Sequence, residues 1–406
     1  MSCVNRFAVL LFAFAGVAAA DTAPWQFGTP VTVADARPGV FHHLESAGRR
    51  SIAVSGDAVA VVWEDNRDGT PRAYVAFRTG AASDFQGMRL SGEGEAYEPA
   101  VTGLENGRFV FGWEEAGQAW VRSGGPLGLD PPVRLGREAG AQVTLARGER
   151  GVYVAWAKQT GKVMAIHVAR LTPGRDGAPI TFSRPVIVTP QLQVEQLYPA
   201  LAVLKSATVV AWEDRRHGHT VIYAAQSRDD RRFSAARRVN EQLPRRSTTF
   251  GRGTGAARVV LARLGAERAA AVWLDKRDFE GGYDIYAAVT TDAGRLFGKN
   301  LPVVDDFGRS FGQWHAALAV DSQGRQVCVW DDDRDGSPDL WFSWRSDGPW
   351  TENLGVPGAS GPELETSPVL AFDDQGGLHL AWIEQVAAGG PTRLRYRHAP
   401  VAQTRP

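Results

Sequence analysis

The chain of 406 residues carries 45 Lys+Arg against 45 Asp+Glu. This balance argues against a nucleic-acid-binding protein, which needs a basic excess or a basic stripe. The two cysteines are Cys3 and Cys328. Because Cys3 falls in a leader segment, we expect no internal disulfide and a fold that depends on a large packed core.

Residues 1–20 have the pattern of a secretory signal peptide. Arg6 precedes an apolar run that extends from Phe7 to Ala20, and small residues end the run before Asp21. The run is too short for a transmembrane helix of about 20 apolar residues, and no later segment is long and apolar enough. The sequence therefore predicts a periplasmic or secreted protein with no membrane insertion after signal removal.

The remaining residues, 21–406, repeat one β-hairpin unit, in which an apolar run ends in tryptophan before a polar turn and a second strand-like run. The motif Trp-x-Asp-x-Arg begins at Trp63, Trp212, Trp273 and Trp330, and weaker copies keep only Trp113, Trp156 and Trp382. Spacings of 43 to 61 residues between these tryptophans predict a β-propeller. We predict a single all-β domain, a seven-bladed β-propeller whose tryptophans are core residues. Six blades plus an irregular segment are the alternative.

The two ends of this domain complement each other. The seventh unit stops after residues 394–398 and lacks a fourth strand, whereas residues 24–33 have the pattern of one strand. We therefore expect the N-terminal strand to complete the last blade and close the ring, which removes exposed sheet edges.

A second motif lies between the third and fourth strands of the units. Residues 290–297, Thr-Thr-Asp-Ala-Gly-Arg-Leu-Phe, follow the Asp-box pattern, residues 227–233 are a copy without the glycine, and residues 344–350 are a shortened copy. In these motifs the chain resembles the sialidase-like, bacterial neuraminidase repeat β-propellers over essentially its whole mature length. The resemblance implies a structural turn on the face opposite an active site. The chain departs from sialidases in having Arg37-Pro38-Gly39 in place of an early Arg-Ile-Pro segment and seven units where most have six blades.

The Asp/Arg pairs have two interpretations. Following the family's topology, their turns lie on the functional face, where Arg67, Arg216, Arg277 and Arg334 would bind an acidic or hydroxyl-rich ligand. Alternatively, each aspartate caps its turn and each arginine ties neighbouring blades together. Fourfold recurrence favours the second interpretation, because a catalytic site needs a particular group only once.

Non-repeated residues in the loops that enter the first strands are the other binding candidates. These loops are residues 41–50, 193–198, 248–252 and 309–315, and they contain His42, Trp314 and His315. Aromatic rings beside polar groups suit carbohydrates. Asp331, Asp333 and Asp335 have a calcium-loop spacing, so Ca²⁺ is the one cofactor that the sequence suggests.

The sequence favours an exported sialidase-like propeller that binds a glycan or protein ligand on its loop-rich face without catalysis, as a monomer. One alternative is a glycosidase of the sialidase superfamily, an exo-α-sialidase-like hydrolase. In that case Asp65 is the acid/base candidate and Glu195 with Tyr198 the nucleophile candidate. The other alternative is a structural partner in a cell-envelope assembly.

Overall fold

A computed structural model describes residues 23–44, 50–80, 84–174, 177–241, 255–277 and 282–402. These residues form seven small antiparallel sheets, which are the blades of a seven-bladed β-propeller. The predicted fold class is confirmed, and the six-bladed alternative is wrong. The predicted signal peptide lies outside the described residues. No helix among the described residues is both long and apolar enough to cross a membrane.

The strands are numbered β1 to β32 in chain order, and β1, Val31–Ala34, belongs to the last blade. Blade 1 contains β2 His42–His43, β3 Ile52–Ser55, β4 Ala58–Asp65, β5 Arg72–Thr79 and β6 Gln86–Arg89. Blade 2 contains β7 Ala96–Gly103, β8 Phe109–Glu115, β9 Gln118–Gly125, β10 Gly128–Leu129 and β11 Val133–Arg134. Blade 3 contains β12 Gly140–Gly148, β13 Gly151–Thr160, β14 Val163–Thr172, β15 Thr181–Phe182 and β16 Val186–Ile187.

Blade 4 contains β17 Gln196–Val203, β18 Thr208–Asp214, β19 Val221–Ser227 and β20 Arg237–Arg238. Blade 5 contains β21 Ala256–Leu264, β22 Arg268–Asp275, β23 Asp284–Thr291, β24 Leu296–Phe297 and β25 Leu301–Pro302. A short 3-10 helix, Gly308–Ser310, precedes blade 6, which contains β26 Gln313–Val320, β27 Gln326–Asp332, β28 Asp339–Arg345 and β29 Leu354–Gly355. Blade 7 contains β30 Leu364–Phe372, β31 Leu378–Gln385 and β32 Thr392–Ala399.

The first strand of each blade faces the axis of a closed ring. These inner strands, β3, β7, β12, β17, β21, β26 and β30, contact each other in sequence order, and β30 contacts β3. The Arg50 side chain crosses the axis, because its Nη2 donates a hydrogen bond to the Leu261 carbonyl at 3.0 Å and these residues belong to non-adjacent blades. The centre of the ring is therefore narrow.

The N-terminal segment closes the ring as the sequence predicts. Strand β1 pairs antiparallel with β32, with Val31 opposite Tyr396. Before β1, the Gly28 N–H donates to the His398 carbonyl at 3.0 Å, and Trp25 forms a β-bridge with Val401. Blade 7 therefore contains both ends of the propeller.

The seven tryptophans lie in the core, each exposed by 1% or less. They stand on the second strands, which are apolar on both faces because each blade packs between two others. Trp113, for example, belongs to the same buried cluster as Ala60 and Val62 of blade 1. Cys328 is a buried free thiol in the cluster that contains Trp330.

Alternating strand direction fixes which loops share a face. The turns between second and third strands lie on the same face as the links between blades, which we call the B–C face. The turns between first and second strands, and between third and fourth, lie on the opposite face.

Candidate functional site at the B–C face

In each Trp-x-Asp-x-Arg turn the aspartate carboxylate accepts hydrogen bonds from both the tryptophan and the arginine. The Asp65 carboxylate accepts the Trp63 indole N–H at 2.7 Å and the Arg67 backbone N–H at 3.0 Å. The Arg67 guanidinium donates to the same carboxylate through Nε and Nη2. The arrangement recurs at Asp214 and Asp332, and at Asp275 with Nη2 as the one guanidinium donor from Arg277. These four aspartate side chains are at most 5% exposed.

The electrostatics of this turn favour an ionised aspartate. Burial alone opposes the charge of Asp214, but hydrogen bonds from Arg216 and Trp212 hold its pKa below the ordinary value. The same carboxylate would be a poor proton donor near neutral pH.

Each arginine also covers an aromatic ring on the third strand of its blade. The guanidinium carbon lies 3.8 to 4.2 Å from the ring centroid in the pairs Arg67–Tyr74, Arg216–Tyr223, Arg277–Tyr286 and Arg334–Trp341. Their side chains are 23%, 22%, 7% and 1% exposed in the same order. Each guanidinium therefore uses its N–H groups to bind the aspartate and its flat face to cover the aromatic ring.

The expectation that each arginine ties neighbouring blades is wrong for two of them. Arg67 and Arg216 bond within their own turns. Arg277 reaches Glu241, which precedes blade 5, and Arg334 lies 3.9 Å from Asp305 before blade 6. Only these two reach a link between blades.

A β-bulge interrupts the inner strand at the same place in blades 2 to 7. The bulge residue is left-handed, with φ between 48° and 58°, although it is never glycine. We call these six residues the mouth residues: Glu98, Gln142, Tyr198, Arg258, His315 and Ser367. Left-handed backbone at a non-glycine residue is uncommon, and such residues concentrate at functional sites.

Side chains from the preceding blade hold several of these bulges. The residue between tryptophan and aspartate supplies the acceptor in three blades: Glu64 to the Glu98 N–H at 2.6 Å, Glu213 to the Arg258 N–H at 2.8 Å and Asp331 to the Ser367 N–H at 3.0 Å. Gln142 provides an acceptor for the Tyr198 N–H at 2.8 Å. These contacts join neighbouring blades, a role that the sequence interpretation gave to the arginines.

Two histidines, the mouth residue His315 and His43 of blade 1, contact these acidic residues. His315 Nδ1 lies 2.8 Å from the Asp331 carboxylate, and His43 Nδ1 lies 3.4 Å from Glu64. Their side chains are 44% and 49% exposed. Both pairs could therefore meet a ligand from solvent.

Among the predicted binding residues, His42 and Trp314 differ sharply in environment. His42 is buried, its Nδ1 lies 3.0 Å from the Thr392 hydroxyl, and desolvation lowers its pKa despite the nearby Asp65. Its neighbour His43 is the exposed one. Trp314 is 45% exposed and packs edge-on against Tyr283 of blade 5, with centroids 5.2 Å apart.

The predicted catalytic candidates take part in several structural contacts. Both oxygens of Asp65 accept hydrogen bonds within its turn. A Glu195 oxygen accepts the Met164 N–H at 3.3 Å, whereas the Tyr198 ring is covered by Arg258 at 4.0 Å.

The predicted calcium residues point in different directions. Asp331 is buried, and its carboxylate contacts His315 and the backbone N–H of Ser367. Asp333 and Asp335 are exposed on the turn. Within the described part of the chain, a metal site needs at least three ligand atoms within 4.8 Å of one another. These aspartates do not form such a group.

The Asp-box-like turns lie on the opposite face, and they differ in detail. Asp229 caps its turn by accepting the N–H groups of Arg231 and Arg232. Asp292 instead forms an ion pair with Arg295 at 2.8 Å.

A groove of about 680 Å³ lies away from the mouth, at the outer edges of blades 3 and 4. Strand β16 and the 230–235 turn line it, with three arginines, Arg184, Arg231 and Arg232. The sequence interpretation identified no site there.

Most mouth residues were not singled out from the sequence. Glu98, Tyr198 and Ser367 each precede a proline of the repeat, and this shared position could have marked them in the sequence. Arg258 and Gln142 have no such marker. The predicted loop 248–252 lies outside the described residues.

The fold and this face define a closed seven-bladed β-propeller with a ring of blade-specific side chains. No family model matches the sequence, and no curated protein matches it. Among solved structures, the chain is similar to the β-propeller domain of the trilobed protease from Pyrococcus furiosus, with a TM-score of 0.51 and 10% identity over 91% of this chain and 97% of that chain.

It is also similar to the α-L-arabinofuranosidase Arb93A from Fusarium graminearum, with a TM-score of 0.50 and 11% identity over 92% of this chain and 98% of that one. For the Trypanosoma rangeli sialidase the TM-score is 0.46 and the identity 11% over 91% of this chain, which spans 58% of that chain. The two similarities with TM-scores of 0.50 and 0.51 confirm the β-propeller fold alone, since one fold hosts many functions.

Proposed function

We propose that this protein is an exported, non-catalytic β-propeller that binds a glycan at the mouth residues on its B–C face. Export follows from the signal-peptide pattern of residues 1–20. The binding assignment follows from the chemistry of the mouth.

One observation carries the assignment: six blades repeat the same left-handed backbone position but fill it with six different side chains. A scaffold role needs the same residue each time, as in the Trp-x-Asp-x-Arg turns. Ser367 is buried, but the other five groups, which include a carboxylate, an amide, a guanidinium and an aromatic ring, are at least partly exposed and can contact one asymmetric ligand. Such a mixture suits hydroxyl-rich molecules, which need both hydrogen bonds and stacking.

The structural contacts of the catalytic candidates support a role in binding. Most glycoside hydrolases use two carboxyl groups that flank one bond, at separations of about 5 to 9.5 Å, whereas sialidases use a tyrosine nucleophile. Asp65 is committed to its turn, the Glu195 carboxylate accepts the Met164 N–H, and the Tyr198 ring is covered by Arg258.

The test is a screen of the purified full chain on an immobilised glycan array, beside a panel of fluorogenic glycosides. The proposal predicts saturable binding to a defined group of glycans and no turnover of any glycoside. Turnover would overturn the non-catalytic assignment. Absence of binding to every glycan would overturn the ligand class and favour a protein partner in the cell envelope.

A further inference from the structure

Three potential metal ligands converge in blade 7, on the face opposite the mouth. Asp373 lies in the turn between the first two strands, and His379 and His398 are directly opposite each other on β31 and β32. Asp373 Oδ2 lies 3.2 Å from His379 Nε2 and 3.3 Å from His398 Nε2. The three ligand atoms lie within 4.8 Å of one another.

These distances suit a tetrahedral transition-metal site. Metal–ligand bonds of about 2.0–2.2 Å at tetrahedral angles place neighbouring ligand atoms about 3.3 Å apart. Two imidazoles and one carboxylate are a set that Zn²⁺ and its first-row neighbours accept, whereas Ca²⁺ and Mg²⁺ prefer oxygen ligands alone.

Surrounding groups orient the ligands. His379 Nδ1 lies 2.7 Å from the hydroxyl of the buried Tyr396, so Nε2 is the nitrogen turned toward Asp373. Asp373 Oδ1 accepts the backbone N–H groups of Gln375 and Gly377, which leaves Oδ2 facing the two histidines. Such outer contacts are typical of metal-binding histidines and carboxylates.

Blade 6 shows what the same turn looks like without this cluster. Asp321 is capped in the same way, but its Oδ2 accepts the Arg325 Nε–H at 2.6 Å. By its distance from the blade tryptophan, Gly377 occupies the position of Arg325. A Cβ at Gly377 would lie 2.5 Å from Asp373 Oδ2 and 2.6 Å from His398 Nε2, so the histidine needs a glycine there.

The histidine pair is also specific to blade 7. The cross-strand pairs at this position in blades 1 to 6 are Ala60–Phe77, Val110–Ser123, Tyr153–Arg170, Val209–Gln226, Ala270–Val289 and Val327–Trp344. The structure of the blade therefore does not require histidines at this pair of positions.

The N-terminal segment lies directly on this cluster. The Trp25 indole N–H donates to the Gly376 carbonyl at 3.0 Å, in the turn that holds Asp373. The Gly28 N–H donates to the carbonyl of His398 itself. An ion held by the cluster would therefore cross-link β31 with the turn and with β32, the two parts of the blade that the closing segment contacts.

We propose that Asp373, His379 and His398 bind one divalent transition-metal ion of the Zn²⁺ class and that this ion stabilises the closing blade. The His398 side chain is 37% exposed, which gives the ion a route in and a fourth coordination position open to solvent. Zn²⁺ binds the folded chain and raises its melting temperature, because the ligands converge only in the folded blade.

The test uses tag-free full-length protein treated with a chelator and then titrated with Co²⁺ or Zn²⁺. The proposal predicts one equivalent of Co²⁺, with the visible absorption of a tetrahedral site, and a rise in melting temperature with Zn²⁺. His379→Val and Gly377→Arg, which install the blade 6 residues, should abolish both effects. The matched control, His217→Ala with His219→Ala on the blade 4 turn, should retain both.

His398→Ala, at the most exposed ligand, is the second variant if His379→Val fails to fold. Absence of saturable binding by the parent chain would overturn the proposal and leave a hydrogen-bonded cluster. Retention of one-equivalent binding in both Gly377→Arg and His398→Ala, or its loss in the blade 4 control, would also overturn it.

Discussion

Arg334 and Arg216 occupy the same position in their turns but differ in solvent exposure, at 1% and 22% of the side chain. Arg334 also contacts Asn353 and lies 3.9 Å from Asp305. Arg334→Ala leaves the Asp332 carboxylate buried with fewer donors, and we expect a loss of about 1–3 kcal/mol in the free energy of unfolding. Arg216→Ala should cost less, because water can replace part of its bonds. Urea unfolding of both variants measures the difference, and an equal or larger loss in Arg216→Ala contradicts this account.

Glu365 gives the stability of blade 7 a pH dependence. Burial, assisted by the charges of Asp339 and Glu384, raises the pKa of Glu365 to about 8 from an ordinary value of 4.5. Between these values the folded state holds a proton that the unfolded chain has lost, so stability falls as the pH rises. The slope is at most about 1.4 kcal/mol per pH unit.

Glu365→Gln removes this proton equilibrium, so stability should depend less on pH between 4.5 and 8 than it does in the parent. Glu93→Gln, at a side chain that is 82% exposed, is the control and should follow the parent profile. Denaturant unfolding across this pH range makes the comparison. Parallel profiles for Glu365→Gln and the parent would mean that Glu365 titrates normally.

The closing strand β1 is the element whose removal tests the architecture. Deletion of residues 23–34 leaves the edge of β32 unpaired and removes the Trp25 and Gly28 hydrogen bonds. We expect aggregation or a clearly lower melting temperature, because an open edge pairs with other chains. The control truncation removes residues 403–406. A deletion variant as soluble and stable as the control would refute closure by this strand.

The blade elements could be predicted because their signals are local in sequence. Trp63, Asp65 and Arg67 lie within five residues, and the hairpin pattern around them repeats. The contacts between blades lack a local signal, since the Glu64 carboxylate and the Glu98 N–H that it accepts are 34 residues apart. The bulges were not predicted from the sequence for a related reason. The packing of the inner strands imposes the left-handed backbone, and no particular side chain is required at that position.

At the scale of the whole molecule, comparison of the repeated blades distinguishes structural positions from candidate functional ones. Positions that every blade needs keep the same chemistry, as the seven buried tryptophans do. Positions that differ at one repeated backbone site, the mouth residues and the blade 7 histidines, carry the proposed functions. This reasoning also explains why the sequence predicted the fold more completely than the site, since a unique residue has no second copy for comparison.

The mouth is tested most directly by glycan-array profiles of three proteins measured side by side. These are the parent, a mouth variant and a groove control with Arg231→Ala and Arg232→Ala. The mouth variant carries His315→Ala at a mouth residue together with His43→Ala and Trp314→Ala at exposed residues of the same face. All five side chains are exposed, so the melting temperatures should match. The account predicts that the mouth variant loses the parent's glycan signals by at least about tenfold, or about 1.4 kcal/mol, while the groove control keeps them. Retention of those signals by a folded mouth variant, or their loss in the groove control, would contradict it.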